Sequence, residues 1–410
     1  MTSVLLVPYH PPGHAEPMAA LSRALREQGH SVTVFSESEA TRWRLDAPFP
    51  ASMFAAGSGG AMFRHMLVGD VADMARDIAD LASTRGAEVI VADVMMPGGG
   101  LAAELAGLPW ATLSCNPIPE PDPFVEHLPD EAVAAFAPRP TLESLGLPAD
   151  DERNLLRRTS GQLHLVPTTQ RFAGFPDVSE PVALVGPFVP VPRPPVAVPS
   201  GEPTVAVTTS SGTPAGMGRS AFVQDRYVNA AAEALGSLPV RGRVSSQPTG
   251  PAPANVQFVG RVPIDELYHG CAAVVTHCGW GTVSHALVRG LPLVLVLAFG
   301  SDQVPLYAYS QPYIAQRCVE LGVGVAVPGE SVTAADLRAA VEVVLAEPAY
   351  REAAGKFAAE VRALAPLPTA SSMIASLPVR APRADRVVDP YWTPPEAASV
   401  QRPSHGSSER

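Results

Sequence analysis

The segment from residue 273 to residue 297 reads AVVTHCGWGTVSHALVRGLPLVLVL, and it decides the fold class. Its opening, Ala273–Thr276, is a short apolar run, typical of a strand buried on both faces of a parallel sheet. A glycine-rich turn follows, then a helical stretch at Val283–Arg289, then a second apolar run at Leu291–Leu297. Strand, helix and strand in this order predict a βαβ unit with a right-handed crossover.

The turn in this unit has the composition of an anion site. Gly279 and Gly281 let a ligand approach the backbone closely, because they carry no Cβ. The free N–H groups and the dipole of the helix that begins there favour a negative charge. His277 can donate a further hydrogen bond, and Thr282 can act as the N-cap or offer its hydroxyl to a phosphate. An ordinary glycine-rich turn is the alternative.

Two polar residues follow the next strand. Asp302 and Gln303 come just beyond the carboxyl end of the apolar run that closes at Leu297. A carboxylate and an amide together offer the acceptors and the donor that sugar hydroxyls need. Their position favours a phosphate and a sugar bound side by side.

The strand–helix rhythm extends over most of the chain. In the first half it begins with a strand at Val4–Val7, a helix at Met18–Arg26 and a strand at Val32–Phe35. A stretch rich in proline then separates the halves, and the rhythm restarts at Thr204–Val207. We therefore predict an N-terminal domain at 1–190, a linker at 191–203, a second domain at 204–365, and a segment at 366–410 that packs back or forms a disordered tail.

Composition limits the function classes. The chain has 410 residues, 46% of them hydrophobic and 17% charged, with a net charge of −11. This balance argues against nucleic-acid binding, which needs a basic face. The four cysteines, Cys115, Cys271, Cys278 and Cys318, form no C-x-x-C pair and are interpreted as reduced structural thiols. No signal sequence or apolar stretch of membrane length is recognised, so we expect a cytoplasmic protein without stable membrane insertion. We also expect a monomer or homodimer.

The motifs resemble those of a known family. His277–Thr282, then Gly290–Pro292, then Asp302-Gln303, all preceded by Arg261-Val262-Pro263, are similar to the donor signature of the family 1 nucleotide-sugar-dependent glycosyltransferases. Pro12–Met18 and Leu184–Pro187 resemble the acceptor half of that family. The resemblance spans about residues 4 to 365. It implies the α/β fold called GT-B, in which two Rossmann-like domains face each other across a cleft.

The resemblance also implies donor-binding residues. It places the diphosphate, the sugar and the nucleoside against Ser210, Ser211, Gly212, Arg261, Val262, His277, Gly279, Trp280, Gly281, Thr282, His285, Asp302 and Gln303. Two of these depart from the family pattern: Arg261 stands where an aromatic residue stacks on the base, and His285 stands where a Glu holds the ribose. A guanidinium plane can still stack, and an imidazole can still make one hydrogen bond.

His14 is the candidate general base. It follows a strand through a loop rich in proline and glycine, and the match at Gly13-His14 and Pro17 implies the catalytic role. An imidazole can take the proton of an acceptor hydroxyl as that hydroxyl attacks the anomeric carbon. Asp93, just beyond the strand Val89–Ala92, would orient the ring, as in a Ser-His-Asp triad. A helix-capping role is the alternative for Asp93.

The sequence therefore predicts an inverting glycosyltransferase that moves a sugar from a UDP- or dTDP-linked donor to a small, mostly apolar natural product. The donor is a co-substrate, and neither a metal nor another cofactor is expected. Met53, Phe54, Met62, Phe63, Met66 and Leu67 would line the acceptor pocket or belong to the core. Two alternatives remain open: a non-catalytic nucleotide-binding auxiliary protein of the GT-B type, and a nucleotide-sugar epimerase of the same fold.

Overall fold

The structure is a computed structural model. It describes residues 1–9, 12–35, 71–118, 133–134, 136–150, 152–174, 178, 180–192, 201–209, 224–248, 250–297, 310–329 and 331–378. Within these residues the chain forms two six-stranded sheets, and every strand pair in both sheets is parallel. No helix in this part of the chain is both long enough and apolar enough to span a bilayer.

The first sheet has the strand order β2-β1-β3-β4-β5-β6. Its strands are β1 (Ser3–Val7), β2 (Ser31–Val34), β3 (Val89–Asp93), β4 (Trp110–Leu113), β5 (His164–Val166) and β6 (Val182–Leu184). The central strand β3 is buried along its whole length because helices cover both faces, which explains its continuous apolar sequence.

The second sheet has the order β12-β11-β10-β7-β8-β9. Its strands are β7 (Thr204–Val207), β8 (Arg241–Val244), β9 (Val256–Phe258), β10 (Ala273–Thr276), β11 (Leu293–Leu297) and β12 (Gly324–Pro328). The predicted βαβ unit is present here, since β10 and β11 pair in parallel and a helix connects them.

Helices flank both sheets. Those of the first half are α1 (Pro12–Glu27), α2 (Val71–Arg85), α3 (Pro97–Ala106), α4 (Pro138–Leu145) and α5 (Gln170–Ala173). Those of the second half are α6 (Gln224–Gly236), α7 (Ile264–Tyr268), α8 (Trp280–Leu287), α9 (Ser310–Glu320), α10 (Ala334–Ala346), α11 (Pro348–Leu364) and α12 (Pro366–Ala375). The architecture is the predicted two-domain α/β fold.

The first helix differs from its prediction in a way that matters for function. The apolar periodicity predicts a helix from Met18 onward, but α1 begins at Pro12. Proline is favoured at the first helical position, because its missing N–H would have no partner there and its φ is already helical. His14 therefore lies in the first turn of a helix and not in a loop.

The end of the chain returns to the first domain. Helix α12 lies against α1, and its Ala370 and Ile374 share a core cluster with Met18 and Leu21. The first sheet ends at Leu184 and the second begins at Thr204, while the exact domain boundaries stay predictions. The part of the 366–410 segment beyond residue 378 lies outside the described residues.

Candidate active site

Three polar side chains meet at one edge of the first sheet. His14 stands in the first turn of α1, directly after β1, while Asp93 ends β3 and Cys115 follows β4 by two residues. The strands β1, β3 and β4 are neighbours and parallel, so their carboxyl ends lie side by side. This edge is where open α/β sheets bind their ligands.

The imidazole of His14 is held by a buried carboxylate. Its Nδ1 lies 3.0 Å from Oδ1 and 2.9 Å from Oδ2 of Asp93, whose side chain is 1% exposed. Asp93 Oδ1 also accepts the backbone N–H of Met95 at 2.8 Å. The ring of Tyr9 meets the His14 ring edge-on, with the centroids 4.9 Å apart. These contacts fix the orientation of the ring, and a carboxylate at Nδ1 favours the tautomer that carries its proton there.

The electrostatics of His14 suit proton uptake. Burial lowers the pKa of the imidazole, but the charge of Asp93, the Cys115 thiol and the hydrogen bonds to both groups raise it by more. The pKa of His14 therefore lies well above its ordinary value. A side chain with such a pKa is a stronger base than a free histidine, and Asp93 stabilises the cation that forms.

Cys115 is a site residue that the sequence analysis missed. Its Sγ lies 3.2 Å from Nε2 of His14, the ring nitrogen that Asp93 does not contact. The side chain is half-buried, whereas the other three cysteines are buried, and all four are free thiols. The interpretation of Cys115 as a reduced structural thiol did not include this contact with the candidate base. The position after β4 could have indicated this, because β4 neighbours the strand that carries Asp93.

The second candidate site lies where β10 turns into α8. Gly279 is the N-cap of this helix, and no side chain caps it. Among the described residues, the backbone N–H groups of Trp280, Gly281 and Thr282 find no acceptor. Cys278 precedes them with φ of 65°, a left-handed conformation that is strained for a residue with a side chain. The turn presents open amides at the positive end of a helix, as an anion site requires.

Thr282 does not cap this helix. Its hydroxyl donates to the carbonyl oxygen of Gly279 at 2.9 Å and lies 2.6 Å from the hydroxyl of Thr276. The prediction of Thr282 as a possible N-cap is therefore wrong, because the residue stands one turn inside the helix. Its oxygen ties the helix start to the end of β10.

His277 stands at the mouth of the same turn. It is 6% exposed, and its Nδ1 has no hydrogen-bond partner among the described residues. Burial lowers its pKa to about 4, so the ring is neutral at neutral pH. A Cβ on Gly279 would lie 2.7 Å from Nε2 of His277, so only glycine leaves the ring this place. The turn thus holds a neutral imidazole, which can donate one hydrogen bond.

Trp280 packs between the two domains. Its indole N–H donates to the carbonyl oxygen of Pro167 at 2.9 Å, and its ring lies 4.7 Å from that of Phe172, centroid to centroid. The side chain is 6% exposed. The resemblance implies that Trp280 lines the sugar, whereas this placement favours a role in holding the domains together.

Of the two residues that depart from the family pattern, His285 has a carboxylate partner. His285 Nδ1 lies 3.1 Å from Oδ1 of Asp265, and the guanidinium of Arg289 pairs with the same oxygen. The hydrogen bond from His285 and the charge of Arg289 lower the pKa of Asp265 in spite of its partial burial. Arg261 is exposed, and Val262 packs against the core of the second domain. A carboxylate therefore stands beside His285.

Several predicted site residues lie outside the described residues: Ser210, Ser211, Gly212, Asp302 and Gln303, and also the six apolar residues between Met53 and Leu67. The structure thus brings His14 together with Asp93 at one sheet edge and His277 together with Gly279–Thr282 at the other sheet.

Known proteins are similar to this chain in sequence and in architecture. Residues 226–375 match the family model described as "Erythromycin biosynthesis protein CIII-like, C-terminal domain". The chain is 26% identical over 412 residues to 4'-demethylrebeccamycin synthase of Lentzea aerocolonigenes, covering 86% of this chain and 93% of that protein. It is 37% identical over 114 residues to tylactone mycaminosyltransferase of Streptomyces fradiae, covering 28% and 23% of the two chains.

Solved structures agree. The glycotransferase of kitacinnamycin superposes with a TM-score of 0.71 at 22% identity, over 92% of this chain and 99% of that one. The calicheamicin glycosyltransferase CalG4 superposes with a TM-score of 0.65 at 20% identity, over 92% and 98%. The chain is a glycosyltransferase of the antibiotic-biosynthesis type. The fold is GT-B, and the two alternatives that were left open, an auxiliary protein and an epimerase, give way to a transferase.

The glycosyltransferase therefore carries its two candidate sites on different sheets. The edge of the first sheet holds an imidazole with a buried carboxylate, and the turn after β10 holds free amides with a neutral imidazole. The family match covers the half that contains the second of these sites.

Proposed function

We propose that this glycosyltransferase transfers a sugar with inversion from a dTDP- or UDP-linked donor to a hydroxyl of a small, mostly apolar natural product, with His14 as the general base. The observation that supports this most strongly is the pairing of His14 Nδ1 with the buried carboxylate of Asp93. Nε2, which lies 3.2 Å from Cys115 Sγ, is then the ring atom that can take a proton from an acceptor.

The reaction needs a base because a neutral hydroxyl is a weak nucleophile. The acceptor oxygen attacks the anomeric carbon while its proton passes to Nε2 of His14. The bond from that carbon to the diphosphate breaks on the opposite face, so the configuration at the carbon inverts. Asp93 stabilises the imidazolium that forms, because its carboxylate lies against the protonated ring.

The leaving diphosphate needs a compensating charge. The amides at the start of α8 and the positive end of the helix would receive its oxygens, and His277 would donate one further hydrogen bond. Ser210, Ser211 and Gly212 would approach from the loop after β7, and Asp302 and Gln303 would bind the sugar hydroxyls. These groups supply the stabilisation that a metal ion provides in other transferases, so we propose that the reaction requires none.

A thymidine-linked donor is favoured over a uridine-linked one. One relative is named TDP-daunosamine transferase and another dTDP-epi-vancosaminyltransferase, and the transferase VinC, with the same fold at a TM-score of 0.61, was solved with dTDP. The names of the relatives also favour an antibiotic-type acceptor.

Product analysis tests the reaction class. The enzyme is incubated with α-linked dTDP-glucose or UDP-glucose and a panel of aromatic and macrocyclic alcohols, and the products are examined by mass spectrometry and NMR. We expect a β-glycoside and faster turnover with the dTDP sugar. An α-glycoside would contradict the single-displacement mechanism, and binding of both donors without turnover on any acceptor would contradict this choice of substrates.

A further inference from the structure

Cys115, His14 and Asp93 form a chain of three groups. Cys115 Sγ lies 3.2 Å from Nε2 of His14, and Nδ1 of the same ring lies 2.9 Å from Oδ2 of Asp93. A nucleophile within hydrogen-bond reach of a base, with the base oriented by a third group, is the arrangement that activates cysteine nucleophiles. Sugar transfer uses the imidazole and the carboxylate and leaves the thiol without a role.

The local backbone fixes the thiol in this place. Ser114 extends β4 by donating its N–H to the carbonyl oxygen of Leu165 at 2.9 Å. The Ser114 hydroxyl then accepts the N–H of Asn116 and donates to the Asn116 carbonyl oxygen, both at 3.1 Å. The turn between these two residues carries Cys115 toward the first turn of α1. The contact with His14 therefore follows from an ordered turn.

The other cysteines provide an internal contrast. Cys271, Cys278 and Cys318 are buried, and burial raises the pKa of each thiol, in the case of Cys271 to about 11. These three thiols therefore stay protonated at neutral pH, and a protonated thiol is a poor nucleophile. Cys115 is half-buried and is the cysteine whose thiol acts on His14, together with Asp93. A thiol within hydrogen-bond reach of a base can pass its proton to that base as the sulfur attacks an electrophile.

We propose that Cys115 is a reactive thiol, paired with His14 and Asp93, and that it is the site at which small soft electrophiles modify this enzyme and silence its base. With an alkyl halide, the thiolate sulfur attacks the carbon, the C–S bond forms, the carbon–halogen bond breaks and halide leaves. The proton that left the thiol stays on His14. The alkyl group then occupies the space in front of Nε2, where the acceptor hydroxyl must reach. This last consequence rests on the proposed function.

Alkylation kinetics test the first half without any donor or acceptor. The full chain is treated with iodoacetamide at about pH 6.5, where an ordinary thiol is almost entirely protonated, and each cysteine peptide is quantified by mass spectrometry. We expect Cys115 to be labelled at least about tenfold faster than the other three cysteines. We expect His14→Gln and Asp93→Asn each to remove most of this advantage, while His269→Gln, at an exposed histidine, leaves it unchanged.

Exposure alone predicts that Cys115 stays the fastest-labelled cysteine in both variants, because it is half-buried and the other three are buried. Equal labelling of all four cysteines, or rapid Cys115 labelling that survives both His14→Gln and Asp93→Asn in variants with native circular dichroism, would overturn the proposal.

A second measurement links the thiol to sugar transfer. We expect alkylated wild-type enzyme to lose transfer by at least about a hundredfold, as loss of a general base does, while it still binds dTDP. We expect iodoacetamide to leave the rate of Cys115→Ala, whatever that rate is, unaffected. Full transfer by enzyme alkylated at Cys115 would overturn the silencing. Selective labelling without transfer in any assay would support the thiol and overturn the proposed function instead, which keeps the two failures apart.

Discussion

The carboxylate of Asp93 binds two partners at once. It accepts the N–H of Met95 at 2.8 Å, which fixes the turn after β3, and it lies 2.9 Å from Nδ1 of His14. The alternative of an Asp that caps the following helix does not describe this arrangement, because the N-cap of α3 is Met96. The residue serves the turn and the imidazole together.

Asp93→Asn separates these two roles. The amide can still accept from Met95, but it removes the negative charge that raises the pKa of His14. Since the base must be neutral to act, transfer by the wild type rises with pH through this raised pKa. We expect the acid limb of kcat/KM to shift to lower pH in the variant, and the plateau to fall by about 10²–10⁴. An unshifted limb in the pH–rate profile would exclude the Asp93–His14 coupling.

The start of α8 depends on two glycines that differ in their surroundings. A Cβ on Gly279 would lie 2.7 Å from Nε2 of His277, while a Cβ on Gly281 would meet no atom of the described residues within 4 Å. Gly279 therefore makes room for the imidazole, and Gly281 leaves room for a ligand.

Gly279→Ala and Gly281→Ala form a matched pair of test variants. Alanine at Gly281 favours the helix by up to about 1 kcal/mol, whereas alanine at Gly279 must displace His277. We expect the thermal unfolding midpoint to rise or stay level for Gly281→Ala and to fall for Gly279→Ala. Equal midpoints in differential scanning calorimetry would show that His277 does not need the space.

Elements of this fold differ in how far their sequence predicts them. The apolar runs of β1, β3, β10 and β11 predict buried parallel strands, and the structure has them. The strand β8, Arg241–Val244, is not predicted, because its two arginines do not form an apolar run. In the structure Arg243 donates to the carbonyl oxygens of Glu266, Leu267 and His269 at 3.0–3.1 Å. These acceptors lie more than 20 residues away along the chain, so a local sequence pattern cannot indicate that they satisfy the guanidinium.

The same limit applies to the site. A strand end followed by a polar residue indicates Asp93 from the sequence alone, and a Gly-rich strand–helix turn indicates His277–Thr282. The contact between Cys115 and His14 depends on the pairing of β3 with β4, and the burial of Trp280 depends on the approach of the first domain. Neither the Cys115–His14 contact nor the burial of Trp280 can be predicted from a local sequence pattern, because both depend on the tertiary structure.

The two domains are in contact where side chains of α9 in the second domain reach the C-terminal end of the short helix α5 in the first. Arg317 on α9 donates from Nε to the carbonyl oxygen of Phe172 at 2.8 Å and from Nη2 to that of Arg171 at 3.0 Å. Tyr313 donates to the carbonyl oxygen of Ala173 at 2.8 Å. A cation at a helix C-terminus also complements the helix dipole.

Arg317→Met tests this contact. The variant keeps the aliphatic part of the side chain and loses hydrogen bonds from a charged group, worth about 1.5–3 kcal/mol in such settings. We expect the unfolding midpoint to fall by about 4 °C or more. Arg338→Met is the control, because Arg338 pairs with Glu342 in solvent, where an i,i+4 pair contributes about 0.5 kcal/mol or less. Similar shifts in both variants would contradict a specific contact between the domains.

Buried neutral histidines predict a loss of stability in acid. Burial lowers the pKa of both His164 and His277 to about 4, against 6.5 for a free imidazole. Between these values the unfolded chain binds more protons than the folded one, so stability is full above pH 6.5 and falls toward pH 4. His14, with its raised pKa, acts above pH 6.5 and in the opposite direction.

We expect His164→Gln to flatten the decline of the unfolding midpoint between pH 6.5 and pH 4, whatever its midpoint at neutral pH. His269→Gln, at an exposed position, should keep the wild-type slope. An unchanged slope in His164→Gln would mean that this histidine does not contribute to the acid sensitivity.

The most direct test of the base is the transfer rate of His14→Ala, measured at saturating donor on samples whose dTDP affinity is determined by calorimetry. In the proposed function the imidazole contacts the acceptor and the nucleotide binds to the second domain. We expect a kcat lower by about 10²–10⁴ with dTDP affinity unchanged. Wild-type kcat in a variant that binds dTDP normally would show that His14 is not the general base.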